Sequence, residues 1–192
     1  MLRLVISVLA LFFVLNIEIS AQNYKDNEAG NVGLGVQIGY QRAGDADAGK
    51  FLFGGLLRAK LSEAFGVEGA ISYRQEEYYN GNMTVRSWPV TISGLVYPFP
   101  MFYLVAGGGW YHTTFDFDPG FTQQDLADKT LNPFGWHLGG GAEVPLGESV
   151  RLFGDVRYVF LKYDFEDFND IPLKDINSNF YTINVGLIFG FR

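Results

Sequence analysis

The sequence predicts an all-β fold: an eight-stranded antiparallel up-and-down transmembrane β-barrel, preceded by a signal peptide. Three observations predict it. The last segment of the chain, YTINVGLIFGFR, alternates apolar residues with mostly small or polar ones, so one face of a strand meets an apolar medium. Seven earlier segments show related alternation. Short and long connections join the segments in turn, which is the arrangement of outer-membrane barrels.

The first 21 residues have the pattern of an export signal. Arg3 precedes the unbroken apolar run Leu4–Leu15, and Ser20 and Ala21 offer small residues for cleavage after Ala21. The run is shorter than the about 20 residues that a membrane helix needs. We therefore predict a signal peptide at 1–21, a short N-terminal segment at 22–31 and the barrel at 32–192.

Composition excludes several classes of function. The chain has no cysteine, which excludes disulfides, thiolate metal sites and a cysteine nucleophile. The net charge of −7 argues against nucleic-acid binding. The sequence shows no cofactor motif and no metal-ligand spacing, so we expect neither. Because an open sheet edge is not tolerated in hydrocarbon, strands that cross a membrane must close into a barrel.

Each of the eight predicted strands is near the length that a tilted strand needs to cross a bilayer. The strands are Val32–Gln41, Lys50–Leu61, Val67–Gln75, Val85–Tyr97, Phe102–His112, Phe134–Val144, Val150–Phe160 and Tyr181–Arg192. Tight turns are expected at Ser62–Gly66, Pro98–Met101 and Pro145–Ser149, and longer, polar loops at Arg42–Gly49, Glu76–Thr84, Thr113–Pro133 and Leu161–Asn179.

The apolar rows carry one aromatic residue per strand toward the loop end. Rings that bear a polar group collect at the membrane–water boundary, so we predict an outer aromatic girdle. Its members are Tyr40, Phe51, Tyr73, Trp88, Trp110, Trp136, Tyr158 and Tyr181. In the ambiguous fifth strand the girdle points Trp110 and Leu104 to lipid, and Tyr103, Gly107, Gly109 and Tyr111 inward. The alternative is a soluble barrel, but its outward rows would be polar, whereas the polar rows here are sparse and rich in glycine.

The opposite rows carry charges of both signs, which we expect to form a luminal network. The residues are Arg58, Lys60, Glu68, Arg74, Glu143, Arg151, Asp155 and Arg157. Eight strands leave an interior just wide enough for side chains, which favours a salt-bridge plug over a path for ions or solutes.

Four segments resemble the small outer-membrane β-barrel domain family, whose members include OmpX-, OmpA- and OmpW-like proteins. They are WPVTISGLVYPF at 88–99, YLVAGGGWYH at 103–112, WHLGGGAEVPL at 136–146 and LFGDVRYVFL at 152–161. The resemblance implies a place in the cell envelope of a Gram-negative bacterium, after export to the periplasm. It also implies recognition by the barrel-assembly machinery through Phe189 and Phe191, although the chain ends on Arg192 where the family usually has an aromatic residue.

The expected partners lie on the outer side. Arg42 and Arg86 have the parity of lipid-facing residues at the outer rim, where they either bind lipopolysaccharide phosphates or are solvated. Loops 113–133 and 161–179 combine acids with phenylalanines, a composition typical of a contact with a surface protein partner or of loops folded over the barrel mouth.

The histidines give little support for catalysis. The chain contains only His112 and His137, and no His-x-Ser arrangement like that of lipid A deacylases. We expect one histidine in the girdle and one in the lumen. The sequence therefore predicts a non-enzymatic outer-membrane barrel with a structural or surface-interaction role. The alternatives are a narrow OmpW-like transport barrel for small or hydrophobic solutes and a lipid-A-modifying enzyme.

Overall fold

The computed structural model describes residues 32–43, 49–78, 83–117, 129–161 and 179–191. The strands are β1 (Val32–Ala43), β2 (Lys50–Lys60), β3 (Phe65–Tyr78), β4 (Met83–Phe99), β5 (Phe102–Phe117), β6 (Lys129–Leu131), β7 (Phe134–Pro145), β8 (Val150–Leu161) and β9 (Phe180–Phe191). The predicted signal peptide and the segment 22–31 lie outside the described residues. In the described part of the chain, no helix has the length and hydropathy to span a membrane.

Eight long strands close into an antiparallel barrel. Each long strand pairs with the next along the chain, β5 pairs directly with β7, and β9 returns to pair with β1. Val32 faces Phe191 and Ala43 faces Phe180 in that closing pair. The ninth strand, β6, is a short addition on β5, where Thr113 faces Leu131. The predicted eight-stranded barrel is confirmed.

The barrel is apolar outside and polar inside. On β1, Val36 and Ile38 are exposed, Ile38 to 65%, while the alternate residues Gly35 and Gln37 are buried. A soluble barrel shows the opposite pattern, because its polar rows face water. The outward surface is therefore suited to lipid, as the alternation of the sequence predicted.

The ambiguous fifth strand is also oriented as predicted. Tyr103 and Tyr111 are buried in the lumen, whereas Leu104 and Trp110 are half exposed on the outer surface. Gly107 faces the lumen, where a Cβ atom would lie 2.9 Å from His137 Nε2 and would press against the β4 backbone. The glycine therefore makes space for a luminal histidine.

Several predicted strand ends were wrong on the loop side. The structure continues β3 to Tyr78, begins β4 at Met83 and continues β5 to Phe117, so much of predicted loop 76–84 is strand. Predicted loop 113–133 likewise contains the end of β5 and all of β6. The outward row becomes polar toward these extensions, at Gln75, Arg86 and His112, so an apolar lipid-facing row no longer marks the strand there. The turns at 61–64, 100–101 and 146–149 lie at the opposite end, which we call the turn end; the other is the loop end.

The outward face of β4 provides a test of the membrane assignment. Ile92 lies near the middle of β4 and is exposed. Ile92→Arg places a charge in hydrocarbon and is expected to lower the free energy of unfolding by about 2–4 kcal/mol, measured by guanidinium titration in lipid vesicles. Ile92→Leu is the control and should be near neutral. A wild-type chain that stays soluble without detergent would contradict the assignment.

Candidate functional site

Seven of the eight predicted luminal charges are buried and joined to one another. They come from β2, β3, β7 and β8, where each occupies a lumen-facing position. The seven are Arg58, Lys60, Glu68, Glu143, Arg151, Asp155 and Arg157. We call this group the ionic network. Arg74 is half-buried farther along β3 toward the loop end, and the ion pairs that join the other seven do not include it.

Arg58 connects two carboxylates across the lumen. Its Nη2 lies 2.5 Å from Glu68 Oε2, its Nε donates to the same oxygen at 2.9 Å, and its Nη1 lies 2.5 Å from Glu143 Oε2. Only 1% of Arg58 is exposed. The guanidinium also stacks on two rings, with Cζ 4.7 Å from the centroid of Tyr103 and 4.8 Å from that of Phe153. Arg58 is therefore held on every side by charge, hydrogen bonds or aromatic faces.

Glu68 and Asp155 share a second arginine. Arg157 Nη2 donates to Glu68 Oε1 at 2.9 Å and to Asp155 Oδ2 at 2.6 Å, and Arg157 Nε donates to Asp155 Oδ1 at 3.1 Å. Tyr103 Oη and Asn184 Nδ2 donate to the same aspartate, at 2.9 and 2.8 Å. Glu68 thus bridges two arginines, and Asp155 has a donor at each of its oxygens.

The network extends toward the turn end through Glu143. Its Oε1 lies 3.7 Å from Lys60 Nζ and 3.4 Å from Arg151 Nη1. This oxygen accepts no hydrogen bond, so both contacts are electrostatic. Lys60 Nζ also lies 4.7 Å from the centroid of the Tyr97 ring. One carboxylate therefore attracts three cations, counting Arg58.

One apolar cluster packs beside the ionic network on β4 and β5, and another lies toward the loop end. Leu95, Tyr97, Tyr103 and Val105 pack together toward the turn end. Tyr111, Val159, Leu161 and Phe180 form a second buried cluster toward the loop end. Charged and apolar side chains thus fill the lumen together, and a hydrated ion has no wide path through them.

Sequence reasoning missed the neutral members of the lumen. Tyr103, Phe153 and Asn184 contact the charged residues directly, but they carry no charge and were not included in the predicted network. The alternation of inward and outward positions along each strand could have identified them. Phe153 lies between the outward positions of β8, and Asn184 lies between Ile183 and Val185 of β9, so both face the lumen.

The two histidines have the predicted placements. His112 is exposed on β5, with Nδ1 2.5 Å from Asn132 Oδ1, and His137 is buried, with Nε2 2.9 Å from Ser93 Oγ. Neither imidazole hydrogen-bonds a carboxylate within the described residues. In the same part of the chain, no three acidic or imidazole side chains converge as a metal site. This arrangement offers no complete nucleophile–base–carboxylate system.

The predicted girdle residues all lie on the outer surface of the barrel wall. Tyr40 packs against Phe51 with ring centroids 5.6 Å apart, and Tyr73 against Trp88 at 4.4 Å. Trp110 contacts Phe134, a residue that the prediction omitted. Tyr40 Oη also accepts a hydrogen bond from the Gly49 amide at 3.0 Å, which ties the outer ends of β1 and β2 together.

The proposed assembly signal is described only in part. Phe189 lies on the outer face of β9 and is exposed. Phe191 pairs through its backbone with Val32, while its side chain and Arg192 lie outside the described residues. Recognition by the assembly machinery stays a prediction.

The bridging carboxylate provides a stability test. Glu68→Gln keeps the shape but removes the charge shared by Arg58 and Arg157, and a buried charge that loses its partner is costly. We expect a loss of about 3–5 kcal/mol in the free energy of unfolding in vesicles. Glu148→Gln, in an exposed turn, is the control and should change it by less than about 0.5 kcal/mol. Equal stability of the two variants would contradict the bridging role.

Solved structures of small outer-membrane barrels share this fold. Ail of Yersinia pestis, solved with the heparin analogue sucrose octasulfate, aligns with a TM-score of 0.59 at 13% identity, covering 85% of this chain and 99% of Ail. The Neisserial surface protein NspA aligns with a TM-score of 0.55 at 12% identity, covering 84% of this chain and 96% of its own. OprG of Pseudomonas aeruginosa gives 0.53 at 14% identity, covering 86% and 98%.

Among curated proteins no sequence matches this chain. The family model described as outer membrane protein beta-barrel domain matches residues 8–189, which is nearly the whole chain. The closed barrel, its apolar outer surface and its polar lumen agree with that match. The chain belongs to the outer membrane protein β-barrel domain family and is an integral protein of the bacterial outer membrane.

Proposed function

We propose that this protein is a non-enzymatic barrel whose loop end contacts a partner at the cell surface, while its lumen stays closed. The observation that carries the proposal is the extension of β3, β4, β5 and β6 beyond the girdle. β4 begins at Met83, well before Trp88, and β5 continues from Trp110 to Phe117. Within the described ranges, β8 on the other side of the barrel ends at Leu161, soon after Tyr158, so the extension that the structure describes lies on the β3–β6 side.

The extension has the form of a docking surface. Within the described residues, β6 pairs only with β5, so its second edge has free backbone donors and acceptors. Two outward contacts hold β6 in place: Thr114 Oγ1 and Thr130 Oγ1 lie 3.1 Å apart, and His112 contacts Asn132. A fixed sheet edge can accept a strand from another protein.

The charge of the outer segments indicates the chemistry of the partner. Loop 113–133 contains four aspartates against Lys129, and loop 161–179 contains five acids against Lys162 and Lys174. Ail binds a polysulfated sugar analogue. A surface as acidic as the one proposed here would repel such a ligand, so we propose a basic protein surface as the partner.

The proposal includes lipid contacts at the rim. Arg42 and Arg86 are both exposed with the parity of the lipid-facing residues. At the loop end of the girdle they stand at the depth of lipid headgroups, where a guanidinium can bind a lipopolysaccharide phosphate with two hydrogen bonds. These contacts would orient the barrel in the outer leaflet without adding a catalytic role.

Charge removal tests the proposed partner. Replacing Asp116, Asp118, Asp125 and Asp128 by asparagine should weaken binding of cells to a cationic protein surface at least severalfold at low salt, because steering by opposite charge is lost. The matched control replaces Glu63 and Glu148, two acids in turn-end turns, by glutamine. Equal binding of the two variants to the cationic surface would contradict the proposal. Binding of wild-type cells to a sulfated glycan would also contradict it.

Electrical recording tests the closed lumen. In planar bilayers the wild-type barrel is expected to show no sustained conductance, because the ionic network and two apolar clusters fill the interior. The transport alternative predicts a conductance that Ala70→Trp, inside the lumen, abolishes and Ala106→Trp, on the outer face, preserves.

Lipid A mass spectra that change on overexpression would support the enzyme alternative instead.

A further inference from the structure

A polar cavity lies between the ionic network and the apolar cluster at the loop end. Its volume is about 60 Å³, and all eight long strands contribute to its wall. The wall includes Gln41, Thr91, His137 and Asn184, with Arg157 on the network side and Phe180 on the loop side. The proposal of a closed lumen does not involve Gln41, Thr91 or His137, so the cavity is a separate feature.

Several polar groups in this wall have no protein partner. Gln41 is only 7% exposed, yet within the described residues its amide makes no hydrogen bond. His137 is 4% exposed and uses Nε2 on Ser93, which leaves Nδ1. The Thr91 hydroxyl is also without a partner in the described part of the chain. These side chains line the cavity, so an occupant with hydrogen-bond donors and acceptors can supply the partners that the protein does not.

The charges beside the cavity are already balanced. Arg157 pairs with both Glu68 and Asp155, so no single charge faces the cavity without a counter-charge. A charged solute would lose its hydration without gaining a new ion pair, which is unfavourable in a narrow, low-dielectric interior. An uncharged molecule with donors and acceptors meets the unpartnered amide, hydroxyl and imidazole groups without that penalty.

The volume sets the size of the occupant. By the same measure one water needs about 10–15 Å³, so the cavity holds roughly four to six waters or one small organic molecule. We propose that it is a binding site for a small uncharged polyol or amide, of which glycerol is the simplest probe. The ionic network bounds the cavity toward the turn end. Toward the loop end it is bounded by Tyr111 and Phe180, whose rings pack edge to face with centroids 5.9 Å apart, so entry from that end requires these rings to move.

The two histidines supply an internal control for the test. In the purified, folded barrel labelled at histidine, added glycerol should shift the imidazole resonances of His137 in a saturable way. It should leave those of His112 on the outer surface unchanged. Equal shifts at both histidines would show a solvent effect and overturn the proposal. A response of His137 to chloride or formate, but not to glycerol or acetamide, would overturn the uncharged assignment.

Two lumen variants locate the site. Ala70→Leu fills the cavity from β3 and should abolish the glycerol-dependent shift, whereas Ala106→Leu makes the same change on the lipid-facing side and should retain it. Thr91→Val keeps the shape, loses one hydroxyl and should weaken binding about fivefold. A cavity that holds only water predicts no saturable shift in any of these proteins, and that result would refute the site. The circular dichroism of each variant checks that the barrel has folded.

Discussion

The Glu68 carboxylate is the point at which the interior of this barrel is held together. One oxygen faces Arg58 and the other faces Arg157, so a single side chain on β3 connects β2 to β8 across the lumen. Through Arg58 the connection reaches Glu143 on β7, and through Arg157 it reaches Asp155. Because each cation touches at least one carboxylate, the cost of burying seven ionised groups is offset within one connected set. Rings of Tyr103 and Phe153 fill the space between them.

Because side chains fill the interior, the proposed contacts with partners lie at the ends of the barrel. A hydrated ion would have to pass the ionic network, with the apolar cluster packed beside it, and a second apolar cluster toward the loop end. The wall offers little to soluble partners, since its exposed residues face lipid. The loop end is different, because β3–β6 continue there as a sheet with a free edge in the described part of the chain. Membership in the family explains the barrel, but a shared fold assigns no role by itself.

The sequence was informative wherever one strand met two different media. On β1, Leu34, Val36 and Ile38 alternate with small or polar residues, and the orientation of every such strand followed from that pattern. Beyond the girdle the outward row becomes polar, at Gln75, Arg86 and His112, which is why the loop-side ends of β3–β5 and all of β6 were missed. Pairings within the lumen were also beyond reach, because Arg58 and Glu143 are 85 positions apart and meet only when the register and the closure are known. Arg74 lies on the same face of β3 as Glu68, but it is too far toward the loop end to join the ionic network. Alternation along a strand gives the face of a residue and not its depth in the barrel.

The charged lumen contributes most to register. Buried ion pairs often stabilise a fold no better than well-packed apolar residues of the same volume. An apolar lumen, however, would make both faces of each strand alike, and a shift of one residue would then cost little. With the charges present, the same shift in β8 would move Arg151, Asp155 and Arg157 into lipid, at about 2–4 kcal/mol for each arginine near the bilayer centre. It would also replace Arg157 beside Glu68 by an apolar or aromatic neighbour from Val156 or Tyr158, which leaves that carboxylate without one of its two partners. The ionic network therefore favours one register of the closed barrel over its neighbours. The cavity beside the network is the space that side chains leave unfilled in this register.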